Sequence, residues 1–199
     1  LVTTPDPARV QPLFTPLPSH RPPVKVVVED PKSLPALFEA QAEDIPEHSG
    51  MGTTVSSIWL MPEDAGLGWI GHVGDSRVYL KRGDQFTQIT EDHSPVYRLF
   101  KQGLIDKDQM HHHPQKNLLD RSLGVLPSVE VDVFPVSFTT EDVFLICSDG
   151  LTDTMTDDEL EQLMQSESLT EAADQLVSAA NNNGGTDNIT VVLVKILKV

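Results

Sequence analysis

The segment Asp142–Ser148 (DVFLICS) constrains the fold more than any other, because its apolar centre is continuous and has no polar face to turn toward water. Five to seven residues of that character, ending at an Asp-Gly pair, read as a strand buried on both sides. Such a strand needs a layer above it and a layer below. The sequence supplies candidates for both. Thr53–Met61, Leu67–Val73, Ser76–Arg82, Gln85–Thr90, Val129–Val136 and Asn188–Leu197 read as further strands, with a hairpin around Gly83-Asp84. Thr156 with Glu159, and Ser168 with Glu171, have the spacing of capping boxes that open two helices. Leu160, Leu163 and Met164 line one face of the first. Leu169, Ala172, Ala173, Leu176, Val177 and Ala180 line the second. A shorter helix is expected from Ser94-Pro95 to about Gln102, closed by Gly103, and another from Asp106 to His111. Strands gathered together with a few helices around them indicate an α+β fold rather than alternating βαβ units.

The chain divides near Gly50. Residues 1–49 hold seven prolines before Val24, which removes backbone donors and reads as a linker or extended arm. Within it only Val24–Val28 suggests a strand and Pro35–Ala42 a short helix. Residues 50–199 carry the folded domain. With 14 basic and 30 acidic residues the chain has a formal charge of −16, a field that repels nucleic-acid backbones and anionic lipid while attracting divalent cations. It contains no apolar run long enough to span a bilayer and no signal-peptide pattern at Leu1. The single Cys147 cannot form an internal disulfide, so a cytoplasmic location is expected.

Chemistry concentrates in three short pieces: His72–Arg77, Cys147–Thr152 and Gly184–Thr190. Each places one aspartate, Asp75, Asp149 or Asp187, at the edge of a hydrophobic strand with glycine close by. The strand end fixes the carboxylate, and the glycine is expected to leave room for a cation or a substrate oxygen. Carboxylates gathered without a counter-charge raise one another's pKa, and a divalent cation removes that cost. Ligation by oxygen alone suits Mn²⁺ or Mg²⁺. A single Asp beside Gly is usually a turn residue; three in this setting are harder to dismiss.

These pieces, with Gly50-Met51-Gly52-Thr53-Thr54, Ile89–Ser94 and the stretch from Leu99 to Gly124 that includes His113-Pro114, resemble in order and spacing the metal-dependent serine/threonine protein phosphatases of the bacterial PPM (type 2C) kind. The resemblance implies a β-sandwich of two antiparallel sheets flanked by helices, incomplete at the N-terminus. It implies two or three Mn²⁺ or Mg²⁺ ions in a cleft at one end of the sheets. Asp149 and Asp187 correspond to ligands of the catalytic pair, and Asp75 with Asp149 to those of a third ion. Asn188 and Gly150 would brace these ligands rather than bind metal. Metal-activated water would attack phosphoserine or phosphothreonine in proteins phosphorylated by Ser/Thr kinases.

The family's N-terminal Asn-Glu-Asp and Asp-Gly-Met-Gly-Gly segments and its phosphate-gripping Arg are not recognisable. Asp30, after Val27-Val28-Glu29, echoes one of them but is followed by Pro31-Lys32 where glycine is needed. The expectation is therefore a chain whose N-terminal portion lies elsewhere. A catalytically impaired relative, serving as a binding or regulatory module, is the alternative. No residue is singled out as a catalytic acid or base. The nucleophile of haloacid-dehalogenase-like phosphatases is excluded, since Cys147 occupies its position two residues before Asp149. His111-His112-His113 is expected to be a polar loop, Arg77 a salt-bridge partner, His72 a packed or hydrogen-bonded neighbour of the site, and Cys147 a core residue. His93 is read as orienting a strand exit, and Asn117 as too weak an acid to act.

Overall fold

The computed structural model describes residues 52–61, 66–126, 128–166 and 168–198. Its strands are β1 (Val55–Met61), β2 (Leu67–Val73), β3 (Arg77–Arg82), β4 (Gln85–Gln88), β5 (Asp132–Ser137), β6 (Val143–Cys147) and β7 (Val191–Lys195). Its helices are α1 (Pro95–Lys101), α2 (Lys107–His111), α3 (Asp149–Thr152), α4 (Asp157–Leu163) and α5 (Leu169–Asn182). The strands form two antiparallel sheets, β1-β2-β5 and β4-β3-β6-β7. The α+β sandwich expected from the sequence is the observed architecture.

β6 is buried on both sides because the pleat sends alternate residues into two different cores. Phe144 joins Val78, Leu80, Ile70, Val136, Phe138 and Ile196 between the sheets. Leu145 and Cys147 face the other way, onto Leu151, Leu160, Met164, Leu176 and Ala180 of the helical layer. Phe144 and Leu145 are both fully buried, and each contributes about 1.5–3 kcal/mol by leaving water. The outer face of the three-stranded sheet differs: Trp59 is 46% and Val133 42% exposed.

Local chemistry sets the element ends. Ser94 accepts from the Tyr97 N–H and Pro95 takes the first turn of α1. Asp106 with Gln109, and Thr156 with Glu159, close reciprocal capping boxes on α2 and α4. At α5 only half of the expected box forms. Ser168 accepts from the Glu171 N–H, but its own N–H donates to Ser166 Oγ, so the Glu171 side chain is not needed there. α3 was not foreseen; one turn of four residues is too short to leave a periodicity. β5 begins at Asp132 rather than Val129, and its Pro135 is tolerated because, among the described residues, the strand pairs on one side only, with β2.

Register positions the site. Arg77 at the start of β3 pairs with Cys147 at the end of β6, and Cys147 pairs with Val191 at the start of β7. The turns carrying Asp75, Asp149 and Asp187 therefore leave the same end of the sandwich. No helix among the described residues is long and apolar enough to cross a membrane.

Candidate metal centre

Asp149 follows β6 directly and opens α3, where its Oδ1 accepts the Gly150 N–H at 2.8 Å. Asp187 stands in the turn before β7, with its Oδ1 accepting the Asn188 N–H at 2.6 Å. The two turns are stitched together. Ser148 Oγ donates to the Asn188 carbonyl at 3.1 Å and accepts from the Thr190 N–H at 3.0 Å, while the Ser148 N–H donates to the Thr190 carbonyl at 3.1 Å. Asn188 thus takes part in the turn through its backbone carbonyl and N–H.

The two glycines nearest the aspartates serve a different purpose from the one anticipated. A Cβ on Gly150 would lie 2.5 Å from the Asn188 carbonyl oxygen, and one on Gly74 would lie 2.3 Å from Thr54 Cγ2. Gly74 also has φ +106°, a conformation other residues rarely adopt. The space that glycine frees is filled by protein rather than kept for an ion.

Asp75 and Asp149 line one cleft, together with Asp153 and, from the α2 segment, His111 and Lys116. Asp187 is exposed and lies outside that lining, yet close enough for its charge to act on Asp149. Burial, then the charges of Asp149 and Asp92, push the Asp75 carboxyl up to about 7. Burial, then Asp187 and Asp153, push Asp149 above the ordinary carboxylate range. Neither Asp75 nor Asp149 has an ion-pair partner among the described residues. Half-buried carboxylates that raise one another's pKa and lack a cation are a donor set that suits a hard divalent ion. Among the described residues no three acid, imidazole or thiol groups surround one point by themselves. By themselves, therefore, the described residues do not make a complete coordination shell. Asp30 and the division at Gly50 lie outside the described residues.

The neighbouring side chains fall as follows. Arg77 makes a buried fork with Asp92, through Nε at 2.9 and 3.1 Å and Nη2 at 2.7 Å, and also donates to the Tyr79 hydroxyl. His72 is fully buried, bonded to Ser56 Oγ and the Glu91 carbonyl. Cys147 is buried and its thiol pushed up to about 12 by burial, so it is a core residue without a nucleophilic role. Asn117 is exposed. His111 corrects the polar-loop reading: it ends α2 and faces the cleft, its pKa lowered by burial and then by the charge of Arg77. Lys116, bound to Asp153 at 2.7 Å, was missed altogether, since a lone lysine in a polar segment carries no local signal.

The family described as Stage II sporulation protein E (SpoIIE) matches residues 77–197. The chain is 46% identical over 155 residues to the serine/threonine phosphatase stp of Listeria innocua, covering 77% of this chain and 60% of that protein. It is 38% identical over 148 residues to the protein phosphatase PhpP of Streptococcus pneumoniae, covering 74% of this chain and 59% of the relative. It thus spans about 60% of the length of the curated relatives it matches. Among solved structures it resembles the Mycobacterium tuberculosis serine/threonine phosphatase PstP/Ppp, with a TM-score of 0.77 at 34% identity over 83% of this chain and 69% of that one. Another similar structure is the catalytic domain of PstP in complex with 2 manganese ions, with a TM-score of 0.74 at 33% identity over 82% of this chain and 67% of that one. With the sandwich and its acidic cleft, these likenesses show that the chain belongs to the PPM (type 2C) family of serine/threonine phosphatases.

Proposed function

We propose that this chain contributes the greater part of a metal-dependent phosphatase site acting on phosphoserine and phosphothreonine in proteins. The observation that carries the reading is the pairing of Asp75 and Asp149 in one cleft, with no ion-pair partner among the described residues, in a chain of this family. Asp75, Asp149 and the adjoining Asp187 would hold Mn²⁺ or Mg²⁺. When bound, such ions supply neutralisation of phosphoryl charge and a water acidic enough to attack at neutral pH.

The chain's own groups shape what reaches that place. Lys116 offers an ammonium to an anionic substrate from the α2 side of the cleft, with Asp153 holding it at 2.7 Å until it is needed. His111, its pKa lowered, presents a neutral imidazole at physiological pH rather than a second cation. Arg77 is committed to Asp92, which fixes it as a structural support for the β3 entry. The chain's charge of −16 works against nucleic-acid or anionic-membrane partners and is consistent with a cytoplasmic role opposing a Ser/Thr kinase in signalling.

The test is hydrolysis of p-nitrophenyl phosphate and a phosphothreonine peptide with and without Mn²⁺. Turnover that needs Mn²⁺, stops with chelator and falls at least about a hundredfold in Asp149→Asn supports the reading, since loss of a ligand should exceed the loss from its supports. A cooperatively folded chain with no turnover at saturating Mn²⁺ points instead to a binding module.

A further inference from the structure

We propose that His93 is a positioning residue for the Asp75 turn, oriented by Asp132 and Arg121. The inference rests on the metal reading of Asp75 and adds to it the route by which the segment after α2 sets that carboxylate's place.

The turn needs outside support. Gly74 leaves β2 with φ +106°, so its amide and carbonyl have no strand partner. One residue satisfies both. The Gly74 N–H donates to His93 Nδ1 at 3.1 Å, and the His93 N–H donates to the Gly74 carbonyl at 2.7 Å. A backbone amide can only donate, so Nδ1 must present its lone pair and the neutral ring must carry its proton on Nε2. Nε2 lies 3.0 Å from Asp132 Oδ2, which accepts that proton's hydrogen bond. Arg121 Nη1 donates to the other oxygen, Asp132 Oδ1, at 2.7 Å and also lies 3.3 Å from Nε2; the shorter Nε2–Oδ2 contact is the one the ring proton serves.

The tautomer and tilt of the imidazole are thus dictated by a carboxylate on β5 and a guanidinium from the segment between α2 and β5. The Asp120 N–H donates to the His93 carbonyl at 2.8 Å, fastening that same segment to the same residue. On the far side of the turn, Ser56 Oγ donates to the Ser76 carbonyl at 2.6 Å. Asp75 sits between two clamped neighbours. A histidine serving only to fill space would not need a second acid to set which nitrogen faces the turn.

Two substitutions separate the halves of this arrangement. In His93→Asn the amide oxygen can stand near the Nδ1 position and keep the Gly74 bond while losing Asp132. In His93→Gln the amide reaches Asp132 but leaves the Gly74 N–H without its acceptor. Hydrogen exchange and calorimetric Mn²⁺ titration on the 199-residue chain read both effects. The expected result for His93→Gln is exchange at the Gly74 amide about tenfold or more faster, with the β6 amides unchanged, and Mn²⁺ binding weaker by about 10–100-fold. His93→Asn should stay within about threefold of the parent in both.

Equal losses in the two variants, spread over the β6 amides as well, would show an ordinary structural histidine and overturn the proposal. So would fast Gly74 exchange with undiminished Mn²⁺ binding, provided Asp75→Asn does weaken that binding. Should Asp75→Asn bind Mn²⁺ as tightly as the parent, the metal reading itself fails. The Gly74 exchange ratio then decides the positioning claim alone.

Discussion

Four aspartates near strand ends divide into two pairs with opposite electrostatics. Asp92 and Asp142 are 8% and 1% exposed, and each is gripped by a guanidinium fork, from Arg77 and Arg82 respectively. Burial alone would raise the Asp142 carboxyl, but Arg82 and then the Thr139 N–H outweigh it and hold it below its ordinary value. Asp75 and Asp149 are less buried, yet both are raised, by burial first and then by neighbouring carboxylates, with no guanidinium fork to offset either. Depth of burial alone therefore does not sort these acids. The identity of the nearest counter-charge does.

This contrast can be broken in three places. The largest effect is expected from Asp92→Asn, which strands Arg77 at 7% exposure and should cost about 3–5 kcal/mol in urea denaturation. An unchanged midpoint would remove Asp92 from the structural pair.

Asp75→Asn should do the reverse in metal-free protein. With a folded pKa of about 7 against 3.8 ordinarily, the folded chain keeps a proton that the unfolded chain releases between those values. Stability accordingly falls as pH rises through that window, and the penalty is complete above 7. The variant should gain on the order of 1–2 kcal/mol at pH 8 and nothing near pH 4, a figure discounted for partial exposure, and excess Mn²⁺ should cancel the gain. A loss at pH 8 without metal would place Asp75 with the structural acids.

The smallest effect belongs to Asp142→Asn. A depressed carboxylate pKa contributes stability above its ordinary value of 3.8, and that contribution disappears as pH falls through the folded value. The variant should lose about 1 kcal/mol at pH 7, tempered by the partly exposed Arg82, and show a shallower decline below pH 4. An acid limb as steep as the parent's would mean that Arg82 does not hold the carboxylate.

What could be read from the sequence was whatever repeats locally. The apolar centre of Asp142–Ser148, the capping residues Thr156 and Ser94, and the three aspartates at strand ends are statements about a residue and its near neighbours. Partnerships across the fold were not legible. Lys116, for one, meets Asp153 across 37 residues. The purpose of Gly150 was misread because the Asn188 carbonyl that needs its space comes from the distant turn before β7. His111 was set aside as part of a histidine run, and only the packing of α2 distinguishes it from the two that follow. The Arg77 pairing, by contrast, was anticipated, since an arginine among so many acids had few other fates.

The placement of β6 has a mechanical consequence. A strand packed on both sides opens with the core rather than by itself, and Asp149, one residue past its end, is anchored accordingly. Asp187 stands on an exposed turn that is tied to β6 through the Ser148 bonds to Asn188 and Thr190. If both carboxylates share an ion, as proposed above, one would act as the fixed jaw of the grip and the other as the outer one.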